Sequence, residues 1–257
     1  MNKLVEGRKA AAHMRRVLLV VQYDGTDYHG FQRQVGQMTV QQRLEETLER
    51  VLGERVAVTG AGRTDAGVHA IGQAVAFTTD NPIPLPNMVV ALNDALPRDI
   101  AIVSARQVAE DFHPRRDAVS KLYSYRILNR ELPSPFICRY AWHVREPLDV
   151  ELMSAAAEKL VGEHDFAAFC AAGSSVKSTV RRVTRLDVEA EGELVEIRAE
   201  ANGFLYMMVR IMVGTLVDVG LGRLSVEEVG WILAGGDRTQ ASRTAPPQGL
   251  CLVAVSY

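Results

Sequence analysis

The sequence is poor in cysteine and has no long apolar run. Three widely separated cysteines without a C-x-x-C pair argue against a disulfide framework or a cysteine-bound structural zinc ion; they are Cys138, Cys170 and Cys251. The longest apolar stretch, residues 204–221, is interrupted by Arg210 and Asp218, whereas a membrane span needs about 20 apolar residues. Residues 3–12 lack the apolar segment of a secretory signal. We therefore expect a soluble, cytoplasmic protein.

Net charge is also small, at −2 with an isoelectric point of about 6.3, so total charge does not indicate a nucleic-acid partner. Basic residues are nevertheless concentrated in two segments. Residues 113–130 hold five basic side chains and one acid, with Tyr123 and Tyr125 among them, and residues 172–185 hold four basic side chains and no acid. Basic side chains mixed with aromatic ones favour binding to a polyanion, and solvated strand faces are the alternative for either cluster.

Hydrophobic periodicity predicts eight strands and five helices. The strands are expected at residues 16–23, 55–60, 73–79, 101–108, 121–128, 182–188, 194–199 and 251–255. The helices are expected after Thr39, after Pro86, over residues 149–161 and 204–219, and after Ser225.

The order β-α-β-β-α-β occurs twice in this pattern, with one additional helix before the last strand of the second copy, which predicts an α+β fold of two ferredoxin-like subdomains. Each subdomain should have an antiparallel sheet with helices on one side, and a cleft should lie between the two. The predicted division is a frayed extension at residues 1–14, an N-terminal subdomain at 15–112 and a C-terminal subdomain at 113–257.

Small residues surround Arg63, Asp65 and His69 in the segment TGAGRTDAGVHA, residues 59–70. A dinucleotide-binding loop matches poorly, because the next glycine comes only at Gly67 and a strand, not a helix, follows. A P-loop would need a Gly-Lys-Ser/Thr sequence, which this segment lacks. We interpret the segment as a tight loop that displays Arg63 and Asp65 to a ligand, and we expect His69 to pack or cap a turn rather than bind a metal.

Residues 62–70, GRTDAGVHA, resemble the active-site motif of the tRNA pseudouridine synthase A family. Further matches follow in the family's order. They are DFHPR at 111–115, KLYSYRI at 121–127, GEHDF at 162–166, NGFLYMMVR at 202–210 and GLCLVAV at 249–255. The resemblance covers residues 17–257; residues 1–14 have no counterpart in it, and Met207 stands where the family often has a polar residue.

The resemblance implies a homodimeric enzyme that isomerises uridine to pseudouridine at positions 38, 39 and 40 in the anticodon stem-loop of tRNA, without a cofactor or metal. It places Asp65 at the catalytic aspartate, Tyr123 at the tyrosine that packs against the target base and Arg63 at the arginine that helps to extrude this base. Arg210 matches a basic partner of the aspartate, and Leu250 a further substrate-binding residue.

This reaction explains why a carboxylate, a cation and an aromatic ring would be needed in the site. An ionised Asp65 could attack uracil C6 or assist at the sugar, and the sequence does not choose between these routes. In a cleft it needs a cation, which Arg210 could supply; a purely structural ion pair is the alternative role for Arg210. Flipping the nucleotide costs a few kcal/mol, and stacking on an aromatic ring recovers about 1 to 3 kcal/mol. Tyr123 and Tyr125 share a strand face, so without the resemblance either could stack.

The remaining basic residues are interpreted as contacts to the RNA backbone. They are Arg115, Arg116, Lys177, Arg181 and Arg182. Two hypotheses of other classes stay open from the residues alone: a non-catalytic tRNA-binding protein on the same scaffold, and a nucleotide-cofactor oxidoreductase.

Overall fold

The computed structural model describes residues 14–173 and 176–257. The predicted extension at residues 1–14 lies outside the described residues except for Met14. In the described parts of the chain, no helix is both long and apolar enough to cross a membrane.

In the first part of the chain, the described residues form four strands and two helices. They are β1 (Arg15–Tyr23), α1 (Val40–Leu52), β2 (Thr59–Gly60), β3 (His69–Thr79), α2 (Leu85–Ala95) and β4 (Ile100–Val108). Local signals set the bounds of α1, because the Thr39 side chain accepts a hydrogen bond from the Gln42 backbone at its start and Gly53 adopts a φ of 74° at its end.

The residues that the structure describes in the second part form six strands and three helices. They are β5 (Ser120–Asn129), β6 (Trp142–Val144), α3 (Val150–Glu158), β7 (Gly162–Asp165), β8 (Val180–Glu191), β9 (Leu194–Ala201), α4 (Met208–Gly220), α5 (Val226–Gly235) and β10 (Leu250–Ser256). Asp149 caps α3, and Ser225 with Glu228 forms the predicted capping box of α5.

All ten strands belong to one sheet, whose main path runs β4-β1-β3-β10-β5-β9-β8-β7. The order β4-β1-β3-β2 in the first part matches the order β10-β5-β9-β8 in the second. Each part therefore contains a β-α-β-β-α-β unit with the same strand arrangement, to which the second part adds β6, β7 and α5. The predicted α+β, ferredoxin-like fold class is confirmed. The units join directly through β3 and β10, which pair in parallel at Cys251–His69 and Leu252–Ala70.

Two strands share one edge of β3. β1 occupies the other edge along almost the whole length of β3. β2 therefore pairs with β3 near Val75 and Ala76, while β10 pairs with the beginning of the same strand near His69. The loop at residues 61–68 leaves β2 and enters β3 between these two pairings. The sheet topology thus holds this loop at the junction of the two units.

Two predicted elements are shorter in the structure, and two short strands were not predicted. The strand expected at residues 55–60 is only Thr59–Gly60, because Glu45 and Gln41 of α1 bind the backbone N–H and C=O of Val58 in place of a neighbouring strand. The helix expected from residue 204 begins at Met208, since Met207 has a φ of 58° and interrupts the helical conformation. The short strands β6 and β7 were not predicted, because three or four residues carry too little periodicity.

The five helices cover one face of the sheet. Their buried residues form a single core with alternate strand residues such as Val17, Leu19 and Val21. Leu18 points to the opposite face, where it packs with Ala61, Ala74 and Ala76 in a small separate cluster. The loop at residues 61–68 therefore contributes the buried Ala61 to the face of the sheet that carries no helices.

Candidate active site

The loop between β2 and β3 carries the predicted Arg63 and Asp65. Ala61, Gly62 and Thr64 are buried, whereas Arg63 is exposed and the Asp65 side chain retains 21% of its accessible surface. The buried residues therefore hold the loop against the protein, while the side chains of Arg63 and Asp65 remain accessible to a ligand.

Backbone hydrogen bonds from the segment between β1 and α1 fix the conformation of this loop. The Phe31 N–H donates to the Thr64 carbonyl at 3.1 Å, and the Gly67 N–H donates to the Tyr28 carbonyl at 3.2 Å. Gly30 has a φ of 83°, and a Cβ atom there would lie 2.6 Å from the Thr64 oxygen. A glycine is required at this position because the segment before α1 passes directly against the Asp65 loop.

A buried polar group lies beneath the loop. The Tyr23 hydroxyl is 2.8 Å from Thr64 Oγ1, and Gln73 Nε2 donates to the Gly62 carbonyl at 3.0 Å. Gln73 is fully buried, and its Oε1 atom has no hydrogen-bond partner in the described structure. Burial raises the pKa of Tyr23, while its hydrogen bond with Thr64 and the nearby Gln73 side chain oppose that rise. Together these side chains hold the residues on either side of Arg63.

Asp65 forms an ion pair with a residue 145 positions away. Arg210 Nη1, in the first turn of α4, lies 2.9 Å from Asp65 Oδ2. Arg210 Nε also donates to the Ala245 carbonyl at 2.8 Å, which orients the guanidinium. The Arg210 side chain is only 11% exposed, so the pair is largely shielded from water. Opposite charges about 4 Å apart attract by about 4 kcal/mol at an effective dielectric constant of about 20.

The structure separates the two candidate tyrosines. Tyr125 is fully buried, and its hydroxyl donates to the Pro246 carbonyl at 2.7 Å. The Tyr123 hydroxyl lies 3.9 Å from the place that a Cβ atom on Gly62 would occupy, and its ring packs edge-on against Phe204 with centroids 5.3 Å apart. Burial, together with the nearby Tyr23 and Asp65, raises the pKa of Tyr123, so its hydroxyl is a neutral phenol at physiological pH.

Leu250, Tyr125 and the core meet at the start of β10. Leu250 is buried and pairs in register with Tyr125 across the β10–β5 ladder. The structure therefore brings Asp65, Arg210 and Tyr123 together. Leu250 lies on the neighbouring strand β10, where it and its partner Tyr125 are both buried.

The predicted backbone-binding residues lie on exposed or half-buried surface. Arg182 pairs with Glu163 at 3.5 Å. Among the residues that the structure describes, the other predicted cations form no ion pair with a carboxylate; they are Arg63, Arg115, Arg116, Lys177 and Arg181. Their charges are therefore not neutralised by a carboxylate in the described structure.

His69 has a different environment from Asp65. Its Nδ1 accepts a hydrogen bond from the Gly25 N–H at 3.0 Å, and its Nε2 lies 2.9 Å from the Arg139 carbonyl, to which it donates. His69 thereby ties the loop after β1 to the connection before β6. Within residues 14–173 and 176–257, no group of three or more His, Cys, Asp and Glu side chains is arranged to hold a metal ion.

Sequence reasoning missed Lys121, Gln73 and Tyr23. Lys121 shares a strand face with Tyr123 by the period of two, which could have brought it into the site. In β3, Gln73 is flanked on both sides by small and apolar residues, 70–72 and 74–77. A polar residue in such a buried stretch is the sequence signal of a hydrogen bond to the backbone.

Known proteins resemble this chain over nearly its full length. A profile of tRNA pseudouridine synthases matches residues 19–117 and 156–257. The tRNA pseudouridine synthase A of Thermoanaerobacter sp. (strain X514) is 50% identical over 244 residues, which are 95% of this chain and 100% of that protein. The protein of the same name from Pelobacter propionicus is also 50% identical over the same shares, and tRNA pseudouridine synthase A 2 of Clostridium perfringens is 45% identical over 95% of this chain and 100% of that protein.

The profile covers both the Asp65 loop and the helix that supplies Arg210. The two sides of the ion pair thus lie in separate matched segments of the chain. With half of the residues identical to curated relatives over 95% of its length, the chain belongs to the tRNA pseudouridine synthase family.

Proposed function

We propose that this protein isomerises uridine to pseudouridine at positions 38, 39 and 40 in the anticodon stem-loop of tRNA, with Asp65 as the catalytic carboxylate. The observation that carries the proposal is the shielded ion pair of Asp65 and Arg210 on a loop fixed at the junction of the two units. A protein that only bound RNA would gain nothing from a carboxylate held among cations, because it repels phosphate.

The reaction needs no outside reagent. The N1–C1′ bond breaks, the uracil turns over, C5 bonds to C1′, the C5 proton leaves to solvent and N1 takes up a proton. Asp65 acts either by attacking C6 or by assisting at the sugar. Arg210 orients the carboxylate, because its guanidinium is held in turn by the Ala245 carbonyl. These roles match the geometry of an aspartate that is paired but still partly exposed.

The other residues receive roles from their positions. Tyr123 supports the flipped uracil, since its ring lies beside Gly62 and is backed edge-on by Phe204. Exposed Arg63 enters the space that the base leaves or holds a phosphate. Leu250 lies behind the base on β10. The exposed or half-buried cations contact the backbone of the stem; they are Arg115, Arg116, Lys177, Arg181 and Arg182.

We further propose that the protein acts as a homodimer, in which one tRNA touches both protomers, and that it works in the cytoplasm. Sedimentation at micromolar concentration tests the first statement. A monomer that retains full activity would contradict it.

The catalytic assignment is tested with Asp65→Asn and tRNA labelled with tritium at C5 of uridine. Because C5 must lose its hydrogen, tritium release reports the reaction itself. We expect Asp65→Asn to abolish release while tRNA affinity changes by only a few fold, with Asp94→Asn on the exposed surface of α2 as the matched control. General acid-base groups contribute about 10²- to 10⁴-fold, so a variant that kept more than about a tenth of the wild-type rate would refute the role.

A further inference from the structure

Lys121 is a half-buried cation beside the loop at residues 61–68, and the proposed mechanism gives it no role. It lies on β5, and its Nζ atom donates to the Ala61 carbonyl at 2.7 Å. An ammonium group has three N–H donors, so two remain free. In the described structure, Lys121 has no carboxylate partner within ion-pair distance.

The Lys121 ammonium faces the residues that surround the target base. Its Nζ lies 3.4 Å from the place of a Cβ atom on Gly62, and the Tyr123 hydroxyl lies 3.9 Å from the same place. Gly62 directly precedes Arg63 and stands three positions before Asp65. A group bound by the two free N–H donors would therefore lie beside the nucleotide that Tyr123 supports.

The surrounding charge favours an anion. Burial and the two nearby cations Arg115 and Arg181 lower the pKa of Lys121 to about 8. Arg181 Nη1 is held by the Ser178 and Val180 carbonyls, so its charge is fixed near this position without being neutralised. Arg115 and Arg181 therefore repel the Lys121 ammonium, and an anion bound beside it would relieve that repulsion.

We propose that Lys121, together with Arg115 and Arg181, forms a phosphate site that holds an RNA backbone phosphate adjacent to the flipped uridine. This inference rests on the proposed function. It assigns Lys121 to substrate binding, where it positions the nucleotide for Asp65 by fixing the backbone next to it, while its third N–H keeps the Asp65 loop in place through Ala61.

The test compares Lys121→Gln with the matched control Lys159→Gln, an exposed lysine at the end of α3. Binding of tRNA is measured across a range of salt concentrations. Each phosphate contact to a cation contributes about 0.7 to 0.9 to the slope of log K against log salt, so Lys121→Gln should lower affinity several-fold and reduce the slope by about this amount. Lys159→Gln should leave both unchanged.

The pH dependence of binding provides a second readout. A protonated Lys121 binds phosphate and a neutral one does not, so raising the pH from 7 to 8.5 should weaken wild-type binding and move its salt slope toward that of Lys121→Gln. Lys121→Arg stays charged and should bind without this pH dependence. The Tyr123 phenol remains protonated throughout, because burial raises its pKa.

Two results would overturn the phosphate site. Weaker binding with an unchanged salt slope would show that Lys121 only supports the Ala61 carbonyl, and unchanged affinity and slope would show that it has no part in binding. The proposed function fails separately: wild-type protein that binds tRNA with the expected slope but releases no tritium would refute catalysis and leave this site standing.

Discussion

Replacing each active-site tyrosine with phenylalanine should separate a catalytic hydroxyl from a structural one. Tyr123 and Tyr125 stand two residues apart on β5, yet their hydroxyls differ. The Tyr125 hydroxyl donates to the Pro246 carbonyl at 2.7 Å. The Tyr123 hydroxyl makes no hydrogen bond in the described structure. Burial and nearby charged groups raise its pKa. Only Tyr125→Phe therefore removes a hydrogen bond from the folded protein.

The expected magnitudes follow from that difference. Losing the bond to Pro246 should reduce the free energy of unfolding by about 0.5 to 1.5 kcal/mol, which lowers Tm by roughly 2 to 4 °C per kcal/mol in a chain of this size. Tyr123→Phe should leave Tm unchanged. A phenyl ring stacks on uracil nearly as well as a phenol, so Tyr123→Phe should also bind tRNA normally, while Tyr123→Ala loses about 1 to 3 kcal/mol of binding.

Activity should show the reverse order. If the Tyr123 hydroxyl moves the C5 proton after the base has re-attached, Tyr123→Phe should release tritium at least about 10²-fold more slowly than wild type, and Tyr125→Phe should stay within a few fold. Thermal melts and tritium release on the same preparations provide both measurements. An inactive Tyr125→Phe with a fully active Tyr123→Phe would show that the roles assigned along this strand are wrong.

Two further variants test the supports of Asp65. Arg210→Gln removes the cation 2.9 Å from the carboxylate, so we expect a loss of kcat well above tenfold, where tenfold corresponds to about 1.4 kcal/mol; Arg210→Lys should lose less, and equal rates for the two variants would show that charge at this position is unimportant. Gln73→Leu removes both the donor to the Gly62 carbonyl and the unpaired Oε1 atom, so we expect a fall in kcat with little change in Tm. A Gln73→Leu protein with normal kcat would show that Gly62 needs no support from β3.

The parts of the fold with local signals were predictable from the sequence. Thr39 and the Ser225–Glu228 capping box mark the beginnings of α1 and α5 because their hydrogen bonds join residues three apart. The shortening of β2 could not be predicted, since the backbone of Val58 is bound by side chains of α1 rather than by a neighbouring strand. The boundary between residues 112 and 113 stays a prediction, because the strands of both units continue into one sheet.

The candidate site divides in the same way. Arg63 and Asp65 were visible because they stand together in one glycine-rich loop, whereas Arg210 needed the family resemblance, since an arginine in an apolar helix is equally consistent with a structural ion pair. For Lys121 the sequence offered only the strand face that it shares with Tyr123, and a lysine in an alternating strand normally faces water. Its significance arises only when the parallel pairing of β3 with β10 brings the β2–β3 loop over β5, so that the Ala61 carbonyl reaches the Lys121 ammonium. Long-range strand pairing therefore decides which polar side chains on β5 and β3 face the substrate. Periodicity within a strand predicts only the side of the sheet to which a residue points.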